Sequence, residues 1–264
     1  MRRLREHLRR LADERATGTL HLDGQGALYL ADGAVVHAES RHTPSLRDLL
    51  VNSGRLSEHG WECLRAGGAS AALAVPGRLS RAELQMYQLI ALFDAVYFLA
   101  PCRAEPRFTA GERHWLAGFT AADPATLAHE VRRRRALLGA AWPSPLADDA
   151  PLEPVRRLHR QRVVLTGLQA ELLLNADGRK TPSELARELG RTRFGCTLAV
   201  RGLVASALAR APEPEEGVRM PRRHPGGAPR RALPVTSGAP SRPRWAEADP
   251  GLLALLQDAL RELE

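Results

Sequence analysis

The passage from Gly18 to Ser40 constrains the fold most, because it leaves the backbone few alternatives. Thr19-Leu20-His21-Leu22 alternates apolar and polar residues and Asp23-Gly24-Gln25-Gly26 turns. Ala27-Leu28-Tyr29-Leu30-Ala31 alternates again, and Asp32-Gly33 leads into Ala34-Val35-Val36-His37-Ala38-Glu39. Period-two alternation puts successive side chains on opposite faces of a strand, and Asp-Gly between two such runs suits a type I′ turn, which needs positive φ at both central residues. The residues predict a three-stranded antiparallel meander.

Helical patterns surround it. Leu4, Leu8 and Leu11 recur at helical spacing, predicting a short amphipathic helix that caps the meander's domain. Ser45 to Asn52 carries Leu46, Leu49 and Leu50; Glu58 to Arg65 carries Trp61 and Leu64 and is expected to stop at Gly67-Gly68. Ser80-Arg81-Ala82-Glu83 is a capping box opening the core helix, through Leu84, Tyr87, Ile90, Phe93, Val96 and Phe98. Asp94 falls on the same side of that helix as Glu83 and Tyr87, a polar edge. Pro106-Arg107-Phe108-Thr109 and Trp115-Leu116 are expected to rejoin the sheet edge. Asp123 as N-cap and Pro124 at N1 start a helix to Trp142, with the run Arg132 to Arg135 on its outer side.

Four prolines between Pro143 and Pro154 predict a linker, closing an α+β domain over residues 1–142. Beyond it, Val163 to Leu174 is helical, Thr181-Pro182-Ser183-Glu184 caps a short helix ended by Gly190, and a third helix runs from Thr192 or Arg193 to about Leu208. This is a helix-turn-helix layout over residues 155–220. Residues 221–246 belong to a Pro/Arg-rich stretch expected to be disordered, since 211–246 holds eight prolines and seven arginines. Residues 247–264 carry Leu252, Leu256, Leu260 and Leu263 as the stripe of an amphipathic helix.

Net charge, +8 over 264 residues, is unevenly placed. Residues 1–154 hold 19 arginines against 18 acids, whereas 155–210 hold 11 basic residues against 4 acidic. Basic charge gathered on one module is the electrostatic footprint of contact with nucleic acid. Against it, Glu213, Glu215 and Glu216 fall where the tip of a wing would meet phosphates. No uncharged apolar run is long enough to span a membrane, and Glu6 and Arg9 interrupt any signal-peptide core, so a cytoplasmic protein with no membrane contact is expected.

No motif for a catalytic nucleophile, a phosphate loop or a zinc protease occurs, so no enzyme, cofactor or metal is expected. Cys63, Cys102 and Cys196 lie far apart and are read as reduced thiols; His59 and Cys63 share a helix face but lack a third ligand.

Two resemblances follow from these residues. Gly18-Thr19-Leu20 and Ala31-Asp32-Gly33-Ala34-Val35-Val36-His37-Ala38-Glu39, with Leu46, Leu49, Leu50 and Gly54-Arg55-Leu56 behind them, resemble the PATAN-type domain. That bacterial domain has no defined biochemical activity and is found attached to receiver and DNA-binding modules. The resemblance implies a regulatory or interaction module without catalysis, with Gly33 and His37 as the matching positions. The helix-turn-helix resembles the winged-helix DNA-binding superfamily. At 100° per residue Cys196, Val200, Leu203, Val204 and Ala207 turn inward, and Phe194, Leu198, Arg201, Gly202 and Ala205 form the opposite, reading face.

The leading expectation is a DNA-binding transcriptional regulator with an N-terminal sensing or docking domain. Arg191, Arg193, Thr197 and Arg201 would lie nearest the double-stranded DNA, with Arg156, Arg157, Arg160 and Lys180 on phosphates. The alternative is a non-catalytic signalling scaffold whose winged helix binds protein, a partner or a second copy, through Phe194, Leu198, Leu252, Leu256 and Leu260. One observation bears on the choice: Phe194 and Leu198 covered by the N-terminal domain or by Leu252, Leu256 and Leu260 would block the reading face in this conformation and point to autoinhibition, whereas their exposure beside a basic surface would return the choice to experiment.

Overall fold

The computed structural model describes residues 2–73, 79–111, 113–158 and 162–211. Residues Met1–Glu215 make one compact unit, and Glu216–Glu264, a second, lies outside the described residues. The expectations for the wing acids Glu213, Glu215 and Glu216, for the Pro/Arg-rich tail, for Leu252, Leu256 and Leu260, and for Arg160 all fall outside them.

Chain order is α1 (Arg2–Asp13), β1 (Gly18–Leu22), β2 (Gly26–Ala31), β3 (Ala34–Ser40), α2 (Leu46–Val51), α3 (Glu58–Leu73), α4 (Arg81–Leu99), β4 (Pro106–Ala110), α5 (Pro124–Ala141), a 3₁₀ turn (Pro145–Asp148), α6 (Gly167–Asn175), α7 (Pro182–Glu188) and α8 (Arg193–Ala205). This is a mixed α and β architecture. The four strands form an antiparallel sheet of order β3-β2-β1-β4, so the Pro106 segment does rejoin the sheet, beside β1, whereas Trp115-Leu116, expected at the same edge, lies in a turn with Leu116 in the core beside α2 and α4. Asp32 and Gly33 both have positive φ, +50° and +85°, as the type I′ turn demands. Gly33 has a second constraint, because a Cβ there would stand 2.7 Å from the Ala12 carbonyl oxygen of α1.

Alternation assigns the faces. Leu20, Leu22, Leu28, Leu30 and Ala38 pack with α1, α4 and α5 into one core, while Tyr29 and His37 pair across strands on the other face. The register of β2 and β3 slips between Tyr29 and Leu30, leaving Val36 as the extra residue of a bulge. Its carbonyl accepts from Gln88 Nε2 at 2.5 Å, so the bulge ties the sheet to α4. A second core gathers Leu46, Leu49, Leu50, Leu64, Leu84 and Leu116.

Capping boxes at Ser45, Ser80, Thr166 and Thr181, and the Asp123 cap, set the helix starts. Three boundaries differ from the sequence reading. The α3 backbone continues past Gly67-Gly68 to Leu73 through alanine-rich chain, α6 begins at Gly167 because Thr166 caps it, and 143–154 is a packed segment. In that segment the 3₁₀ turn buries Ala147, and Leu152 joins the core of α6, α7 and α8, so proline content there marks a turn that packs.

Candidate functional site

The α8 face read as DNA-facing lies against α4 and α5. Phe194 is 8% exposed, with the Arg134 guanidinium 4.5 Å over its ring and Tyr97 edge-on at 5.7 Å. Arg193, Thr197 and Arg201 are buried as well, and Leu198 is half-buried. The sequence reading of Phe194, Arg193, Thr197 and Arg201 as groups free to meet a duplex or partner is therefore corrected. A helix reads bases with side chains that enter a groove, and these are covered by their own chain.

The cause is a set of acids distant in sequence. Asp94 of α4 is buried, not on a polar edge, and its carboxylate accepts from the backbone N–H of Arg193 at 2.8 Å and of Phe194 at 2.9 Å. Those are orphan donors of the first turn of α8, and a carboxylate there also meets the positive end of the helix dipole. Arg134 stands 3.5 Å from the same carboxylate and is buried, whereas sequence put the Arg132 to Arg135 run outside. Burial pushes Asp94 up to about 6, opposed by the Phe194 N–H, then by Arg134. Arg201 is held by Asp148 through two bonds of 2.6 Å and donates to the carbonyls of Leu138 and Trp142 at 2.8 and 2.7 Å. Arg193 pairs with Asp149, donates to the His42 carbonyl at 3.2 Å and lies 4.2 Å over the Phe98 ring.

The remaining cations divide. Arg191 is exposed but paired with Glu171 at 2.9 Å, and Lys180 with Glu188 at 2.7 Å. Arg156 and Arg157 are exposed, and among the described residues neither is paired with a carboxylate. Burial pushes the Cys196 thiol up to about 12, which removes it as a nucleophile. His59 Nε2 and Cys63 Sγ lie 3.5 Å apart, and among the described residues no group of three metal-ligating side chains gathers. No described helix is long and apolar enough to cross a membrane.

On the second face of the sheet a cavity of about 310 Å³ opens above β3. His37, buried, and Glu39 supply its strand side, with the His37 ring stacked on His114 at 5.0 Å and His114 in turn 4.4 Å from Tyr29. Trp61 of α3 and Trp115 meet edge to face at 6.0 Å along another wall, and Arg47 and Arg65 complete the lining. Tyr29 donates to Glu39 at 3.2 Å, and burial, with Glu39 beside it, pushes the phenol up to about 12. Glu39 is held below its ordinary value chiefly by His37, whose Nε2 is 3.6 Å away. His114 is pushed down to about 4, first by burial and then by His37. Sequence singled out His37 alone; Tyr29, His114 and Trp115 come to it only through strand register and the 113–119 turn.

Helix module and cavity share a segment. Residues 41–43 follow Glu39 and precede Ser45, Leu46 and Arg47 of the cavity, and the His42 carbonyl accepts from Ser183 at 3.1 Å as well as from Arg193. Compared with known proteins, the chain matches no family model, no curated protein and no solved structure.

Proposed function

We propose that the protein is a non-catalytic regulatory scaffold whose helix-turn-helix module binds protein through α8, its first partner being the α+β layer of its own chain. One observation carries the reading: the residues that would read DNA, Arg193, Phe194, Thr197 and Arg201, are buried and their charges answered by Asp149 and Asp148. Buried guanidinium groups paired with acids are shut off from phosphate, and freeing Arg201 would strand Asp148. The likeness of Gly18 to Glu39 to PATAN-type domains adds support, since that family implies interaction without catalysis.

The test is a mobility-shift assay with random duplex at about 50 mM salt, where phosphate contacts are strongest. The expected result is equal mobility of the duplex with the wild type and with Arg191→Glu, which inverts the exposed charge at the start of α8. Duplex retained by the wild type and released by the variant would overturn the proposal. Retention that both share would come from other basic residues, Arg156 and Arg157 among them, and would leave the α8 assignment standing.

A further inference from the structure

We propose that the cavity between β3, α3 and the 113–119 turn binds a small planar aromatic anion. Two of the charged lining groups already have partners. Arg47 is bound by Glu58 through bonds of 2.6 Å, and Glu39 holds the Tyr29 hydroxyl and faces His37, so neither is available. Apart from the buried Nδ1 of His37, which has no hydrogen-bond partner among the described residues, the groups left are donors. Arg65 is exposed on α3 and, among the described residues, has no carboxylate partner. The indole N–H groups of Trp61 and Trp115 have no acceptor among the described residues. His114 Nδ1 accepts from the Leu116 N–H at 3.3 Å, so the neutral ring carries its proton on Nε2, a further donor without a protein acceptor among the described residues.

Unspent donors with one free guanidinium select an acceptor-rich, negatively charged ligand, and a carboxylate or phosphate fits the guanidinium fork. Two indoles and a stacked imidazole pair present flat, polarisable walls, which favour a ring system over an aliphatic chain. A volume of about 310 Å³ stands at the small end of ligand pockets, suiting one or two fused rings.

The test uses 2-naphthoate and its uncharged counterpart 2-naphthalenemethanol on the full chain, titrated by ligand-observed saturation-transfer NMR. Naphthoate is expected to saturate at least about fivefold tighter than the alcohol, the order of one charge-assisted contact. Arg65→Gln, an exposed change that leaves the fold intact, is expected to erase that preference while the alcohol binds as before. Trp115→Ala is expected to weaken both. Absence of saturable naphthoate binding, equal affinities for the two probes, or a preference that survives Arg65→Gln would each overturn the assignment.

Discussion

Asp94→Asn sets two physical arguments against each other. In the native chain the carboxylate accepts two backbone N–H bonds and faces Arg134, so counting bonds predicts that the amide, which turns an NH₂ toward one of those donors, costs about 1.5–3 kcal/mol. Burial argues the other way. The carboxyl is raised from 3.8 to about 6, a shift of roughly two units, so carrying the charge at pH 7 costs about 3 kcal/mol that a neutral amide avoids. That shift is already net of the two N–H bonds and Arg134, which lower it, so the two figures bound the effect rather than add, and the variant is expected within about 3 kcal/mol of the wild type at pH 7. The pH dependence is the sharper test. Between the unfolded and folded values the native chain holds a proton that the unfolded chain releases, so stability from this group falls as pH rises from about 4 to 6 and is level above. From pH 7 to pH 5 the wild type should gain about 1 kcal/mol relative to Asp94→Asn. Urea unfolding of both proteins at the two pH values, with matching slopes against denaturant, measures that difference. A gap between them that stays constant from pH 7 to pH 5 would refute the reasoning.

Three further outcomes follow from the geometry. Arg201→Ala strands Asp148 beside two unfilled carbonyls and is expected to cost about 3–5 kcal/mol in urea unfolding, whereas Arg191→Ala, breaking an exposed pair, should cost under about 1. Gly190 has φ +61°, and a Cβ there would stand 2.2 Å from the Ser53 nitrogen. Gly190→Ala should therefore cost about 2–5 kcal/mol, against about 1–2 for Gly178→Ala, where φ is +76° and the nearest atom is 3.9 Å away. His114, held down to about 4, stays neutral while the unfolded ring takes a proton, so stability from it is lost as pH falls from 6.5 toward 4. His114→Phe keeps a ring over Tyr29 and should reduce that loss in thermal unfolding; an unchanged pH profile would count against the assignment.

What could be read from sequence was what local chemistry decides. The Asp32-Gly33 turn and the boxes at Ser80 and Thr181 act within a few residues, and each stands where its pattern put it. The inward arc of Cys196, Val200, Leu203 and Val204 was equally legible, because period alone sorts an amphipathic helix; Ala207, read as part of it, is exposed, since α8 ends at Ala205 and Ala207 takes φ +57°. Period could not say that the opposite face is also covered. An arginine reads as exposed unless its acid is known, and Asp148 lies 53 residues from Arg201 and Asp94 lies 100 from Phe194. The prolines of 143–154 misled for a related reason, since composition records stiffness but not the Arg201 guanidinium that draws the segment in. The cavity was hidden because His114, in the 113–119 turn, meets His37 of β3 from 77 residues away in the chain.

The Asp94 contact also orders events in time. α4 leaves the ribosome about 100 residues ahead of the α8 start it caps, which at about 5–20 residues per second is roughly 5–20 s. During that interval the aspartate has no helix end to receive and remains hydrated, so α4 can pack on the sheet but cannot close its outer side. Closure waits for the last helix of the unit to arrive. A nascent chain halted before Arg193 would present a wet carboxylate beside Tyr97 and Phe98, an open seam that only the remainder of its own sequence is shaped to fill.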